Sequence, residues 1–151
     1  MKRLLYFIVL LPFIFVSCKN DDEIPNVDFK VEISGGKYVN DKIYVVKGDT
    51  LTLEKVEIVS HDKNATIGEV SYFWDGQFIF TNPFPPYKIS ISTNKMALDV
   101  HRLHFNCPVY AEDYPILTAY FDYKVELVEI QDSIPNQPSQ PIINGYSIVR
   151  D

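Results

Sequence analysis

Cysteine is scarce: the 151-residue chain has two, Cys18 and Cys107, which allow at most one disulfide. A cationic surplus is missing too. Against 20 Asp and Glu there are 14 Lys and Arg, a net charge of -6, and without clustered cations there is no phosphate-binding surface for a nucleic-acid partner. The longest uncharged apolar run, 4–16, has 13 residues and is interrupted by Pro12; a spanning helix needs about 20, so no retained membrane helix is expected. No segment keeps a 3.6-residue apolar period over two turns, and no repeat recurs at about 20–50 residues, which excludes a propeller or solenoid. Nucleophile motifs, metal-ligand clusters and phosphate loops are likewise absent, so an enzyme, a cofactor and a bound metal are not expected.

What is present begins with Met1-Lys2-Arg3, the apolar run, and then Ser17-Cys18. Two positive charges, a short apolar stretch and a small residue before the break form the layout of a secretory signal peptide over 1–17. Its removal takes Lys2 and Arg3 and leaves 134 residues with 12 basic against 20 acidic side chains, a net charge of -8. Phe15-Val16-Ser17-Cys18 resembles the lipobox of bacterial lipoproteins, with Phe where Leu is usual. The resemblance implies that Cys18 becomes the fatty-acylated first residue of the mature chain. Lys19-Asn20-Asp21-Asp22-Glu23 is similar to the acidic stretch after the lipid-bearing Cys in surface lipoproteins of the Bacteroidota, which implies an outer-membrane, cell-surface location. More than one acyl chain on Cys18 would make that attachment essentially permanent. Cys107 is then the one remaining thiol, so the fold must rest on its core.

Residues 18–26 read as a lipidated tether, polar and broken by Pro25. From Val27 the pattern changes to strict alternation, with Val27, Phe29, Val31 and Ile33 on one face, the period of a half-buried strand. Further strands are expected over 42–46, 50–58, 70–74, 77–80, 88–92, 100–107 and 116–130. The apolar phase slips between Leu53 and Val56, which places a bulge at Glu54-Lys55. Asp75-Gly76 between two β-prone runs is the signature of a two-residue hairpin turn with positive φ at both positions. The segment 81–86, with Pro83, Pro85 and Pro86, reads as a loop. The tail, 131–151, is rich in Pro, Gln, Asn and Ser and reads as extended or disordered, with 146–149 as its single strand candidate. Seven or eight short strands over 27–130 make an all-β sandwich.

Three segments sharpen this. Tyr72-Phe73-Trp74-Asp75-Gly76, then Pro85-Pro86-Tyr87, then Leu98-Asp99-Val100-His101-Arg102-Leu103 resemble the bacterial immunoglobulin-like domains, with Asp99 where that pattern has Gly. The resemblance covers about residues 42–130 and implies an immunoglobulin-like β-sandwich. It implies no activity, because such modules serve as spacers, adhesin segments and accessory domains alike.

Among candidate site residues, His101 and His104 fall on opposite faces of one strand, which disfavours joint metal ligation. Trp74, in phase with Val70 and Tyr72, reads as a core anchor, Cys107 as an inert buried thiol and Glu112-Asp113 as a solvated acidic loop. The suggestive feature is the surplus of aromatics. Phe84, Tyr87, Tyr110 and Tyr114 fall in loops between strands, where large rigid rings give contact area at low entropic cost, and these four are the expected binding residues. The expected function is a lipid-anchored surface binding or adhesion module contacting a glycan or a partner protein of an outer-membrane assembly. The competing expectation is a purely structural spacer with no small ligand.

Overall fold

The computed structural model describes residues 24–61, 64–143 and 146–150. The expected signal peptide, Cys18 and the tether through Glu23 lie outside the described residues. Among the described residues eleven strands follow in order: β1 (Val27–Ser34), β2 (Lys37–Val39), β3 (Lys42–Val46), β4 (Thr50–His61), β5 (Thr66–Ile67), β6 (Val70–Trp74), β7 (Gln77–Asn82), β8 (Ile89–Ser92), β9 (Val100–Tyr110), β10 (Leu117–Val128) and β11 (Tyr146–Arg150). They form two sheets. The smaller has the order β1-β4-β8; the larger has β2-β3-β10-β9-β6-β7, with β5 added beside β9 and β11 beside β10. The fold is an all-β sandwich. Beyond the eight expected over 27–130 are β2 and β5, only three and two residues long, and β11, which falls on the strand candidate of the tail.

Alternation places the core where the sequence pattern puts it. Val27, Phe29 and Val31 of β1 and Phe121, Tyr123, Val125 and Leu127 of β10 are all buried. Between the sheets the Phe29 ring meets Phe121 edge-on at 5.1 Å, and Phe121 stacks on Phe105 at 4.5 Å, contacts worth about 0.5–1.5 kcal/mol each beyond area burial. Trp74 is buried at the end of β6, against the ring of His101. The bulge also falls where the phase slips: Glu32 pairs with Lys55 but Ile33 with Leu53, so Glu54 is the extra residue that lets Leu53 and Val56 both face inward. At the hairpin, Asp75 has φ 50° and Gly76 φ 78°.

The tail corrects an expected boundary. The sandwich does not stop at residue 130: β11 pairs antiparallel with the first half of β10, from Leu117↔Arg150 to Phe121↔Tyr146. Before it, the chain seals two sheet edges. The Gln140 amide donates to the Tyr38 carbonyl at 2.8 Å beside β2, and the Val31 amide of β1 donates to the carbonyl of Ile142, whose side chain is buried. Covering exposed edges in this way removes unpaired backbone groups that would otherwise template association.

Candidate functional site

Strand pairing decides which loops meet. Thr66 pairs with Tyr110 and Ile67 with Val109, Leu117 also pairs with Val109, and Val70 pairs with Asn82. The segments 64–69, 83–88 and 111–116 therefore gather at one end of the sandwich, opposite the Asp75-Gly76 hairpin. Close approach of β5 to β9 depends on Gly68, whose amide donates to the Pro108 carbonyl at 2.9 Å; a Cβ there would sit 2.8 Å from the Pro108 ring and 3.0 Å from that of Tyr110. Asn64 Nδ2 donates to Glu112 Oε2 at 3.2 Å and ties the first connection to the third.

The proline-bearing connection is stapled to both sheets. At its mouth Asn82 donates through Nδ2 to the Lys88 carbonyl and accepts the Phe84 amide on Oδ1, at 3.0 and 3.1 Å. At its crest the Tyr87 amide donates to the Phe84 carbonyl at 2.9 Å, and the Val56 amide of β4 donates to the Pro86 carbonyl at 3.2 Å. Tyr87 has φ 64°, a left-handed conformation that a non-glycine residue holds only when its surroundings impose it. Here they do. The Tyr72 hydroxyl donates to the Tyr87 carbonyl, and the Tyr87 hydroxyl donates to the Ile67 carbonyl at 3.1 Å. Burial, with the neighbouring Cys107 as a smaller contribution, raises the Tyr87 pKa, which keeps that hydroxyl a donor.

The four expected binding residues thus divide. Phe84 is 73% exposed at the crest of its loop, Tyr110 is exposed at the end of β9, and Tyr114 is half-buried in the turn closed by its amide on the Ala111 carbonyl. Tyr87 is buried, with its hydroxyl on the Ile67 carbonyl of β5 and its own carbonyl held by the Tyr72 hydroxyl of β6, so it is a hub of the site and not a free contact face.

Beside this loop lies an apolar groove of about 700 Å³. Val56 and Ile58 of β4, Ala65, Ile67 of β5, Tyr87, Pro85 and Pro86 line it. Its charged side chains neutralise each other, Lys55 Nζ lying 2.5 Å from Glu57 Oε2. The groove was not legible from the sequence, because its walls come from strands in different sheets.

At the opposite end, a polar groove of about 550 Å³ is bordered by Lys42, Asp75, His101, Arg102, Asp122 and Lys124 among others. Its charges are largely paired: Lys42 with Glu126 at 2.6 Å, Arg102 with both carboxylate oxygens of Asp122, and His101 Nδ1 with Asp75 Oδ2 at 2.7 Å. His101 Nε2 faces the Ala97 carbonyl at 3.1 Å, so both ring nitrogens point at acceptors, a setting that favours the imidazolium. Burial works against the imidazolium, but the bonds to Asp75 and Ala97 outweigh it and raise the His101 pKa. For Asp75 burial is likewise outweighed, by His101 and the Arg102 amide, and its pKa is lowered. His104, on the other face, stacks on Phe73 at 4.6 Å. Cys107 is fully buried, and its thiol is pushed up to about 12 by that burial. No family model, curated protein or solved structure matches this chain.

Proposed function

We propose that the chain is a lipid-anchored cell-surface binding module that grips a partner protein of an outer-membrane assembly through the apolar groove and Phe84. The observation that carries this is a rigid, stapled loop holding an exposed aromatic ring beside a concave apolar surface. A contact made there orders little that is not already ordered, which is how a small interface gains affinity. The composition of the groove favours a protein segment over a glycan. A sugar brings hydroxyls on every side, whereas six of the ten lining residues, Val56, Ile58, Ala65, Ile67, Pro85 and Pro86, are apolar. The immunoglobulin-like reading is supported by the division of strands, β1, β4 and β8 in one sheet and β6, β9 and β10 in the other, and by the parallel run of β3 beside β10.

Two measurements test the reading. Cys18→Ser in the full chain is expected to leave an unlipidated precursor that no longer partitions with the membrane fraction; firm membrane association of this variant would remove the anchor. Affinity capture from envelope extract, run beside a glycan array with the soluble chain 19–151, is expected to retain a protein through the groove. The tail is kept because β11 and Ile142 belong to the fold. Binding to neither would return the chain to a spacer.

A further inference from the structure

The path of the chain into the sandwich fixes which end an N-terminal anchor holds. Val27, the first residue of β1, pairs with His61, the last of β4, at the same end as Tyr110 and the connection 111–116. The step from here rests on the lipid-anchor reading. From Cys18 to Val27 the chain reaches at most roughly 30 Å, whereas the 12-residue strands β4 and β10 each run about 40 Å. The loop end is therefore held close to the bilayer, and the hairpin end with Trp74 and Asp75 is carried away from it.

The chemistry of the held end fits that place. Ile24 is 51% exposed, Ile116 53% and Tyr110 45%, all at the extremity of the sandwich. Phe84 sits farther back along the side, because its loop meets β4 at Val56, five positions before the strand ends. Glu112 and Asp113 are exposed in the same connection, so an anionic surface would be repelled and the contact must be apolar. A tyrosine with an apolar ring and a polar tip, at the same end as two exposed isoleucines, matches the headgroup boundary of a neutral bilayer.

We propose that this end docks on the bilayer that carries the anchor, with Ile24, Tyr110 and Ile116 entering the headgroup region. The groove, on the flank, then faces along the membrane toward neighbouring membrane proteins.

The test uses the full acylated chain in phosphatidylcholine vesicles whose acyl chains are brominated near the headgroups. Trp74, the single tryptophan, is an internal reference at the far end. Ile116→Trp and Phe84→Trp each add one indole at an exposed position, and circular dichroism matching the parent shows that the fold is kept. The indole added by Ile116→Trp is expected to be quenched at least about twofold more than Trp74, since interfacial side chains sit roughly 5–10 Å deep, within reach of the bromines. The indole added by Phe84→Trp should fall between the two. If the protein floats with the vesicles and the Ile116→Trp indole is quenched no more than Trp74, the docking is wrong while the anchor stands. If acylated chain and Cys18→Ser float equally, the anchor is wrong, and docking survives only if the quenching order persists. Strongest quenching at Phe84→Trp would place the flank on the lipid and overturn the assignment.

Discussion

The hydroxyl of Tyr72 offers the sharpest test of how the loop end is built. Its ring is fully buried in β6, and its oxygen donates to the Tyr87 carbonyl, the point at which the proline-bearing loop is bound to the core. Burial raises its pKa, so the group stays a donor across any working pH. Tyr72→Phe keeps the ring and leaves no cavity, so the 3–5 kcal/mol cost of deleting a buried aromatic does not apply (about that range for Phe or Trp to Ala). What is lost is one buried hydrogen bond, with its acceptor left behind, which costs about 1–3 kcal/mol. At roughly 4 °C per kcal/mol for a domain of this size, the unfolding midpoint should drop measurably. The loss should also be local. Val56 donates to the Pro86 carbonyl next to Tyr87, so its amide should exchange faster in the variant, while amides in the β9–β10 ladder keep their order of protection. A stability change under about 0.5 kcal/mol with Val56 exchange unaltered would refute the view that this hydroxyl holds the loop.

Two further outcomes follow from the far end. Trp74→Ala, deleting a buried indole that packs on His101, should cost roughly 3–5 kcal/mol in chemical denaturation; a change under about 1 kcal/mol would mean the ring is not part of the core. The Asp75–His101 pair gives a pH dependence whose sign is fixed by the shifts. Because the His101 pKa is raised in the folded chain, its contribution is complete below the unfolded value of about 6.5 and is lost as pH rises through the folded one. Because that of Asp75 is lowered, its contribution is complete above about 3.9 and is lost as pH falls through the folded one. Stability should therefore decline on the alkaline side of this window, and His101→Gln should flatten that decline; an equally steep curve in the variant would show that the pair does not contribute.

Much of the architecture lies open in local pattern. Alternation in β1, the Asp75-Gly76 turn and the phase slip at Glu54 each reflect a constraint acting within a few residues: pleat periodicity, the positive φ of a tight turn, and the need to bring Leu53 and Val56 to one face. What stayed hidden depends on partners distant in sequence. β2 and β5 are too short to show a period, and for β11, whose 146–149 core reads as a strand candidate, it is the open edge on β10 that the sequence does not reveal. Tyr87 reads as a loop ring because its captors, the Tyr72 hydroxyl and the Ile67 carbonyl, are fifteen and twenty positions away. That Phe84 and Tyr110 share an end follows from strand order, and strand order is set by which edges pair, a choice no single segment encodes.

The decisive measurement sets binding against stability in one variant, Phe84→Ala, in the full chain. The ring is 73% exposed, so its removal should change the unfolding free energy by less than about 0.5 kcal/mol. As a rigid aromatic anchor beside the groove it should carry a large share of the contact, and retention of the captured partner should weaken by about tenfold or more, the equivalent of about 1.4 kcal/mol. Loss of stability with retention intact would contradict the assignment and make the exposed aromatics of this end part of the packing instead of the contact surface.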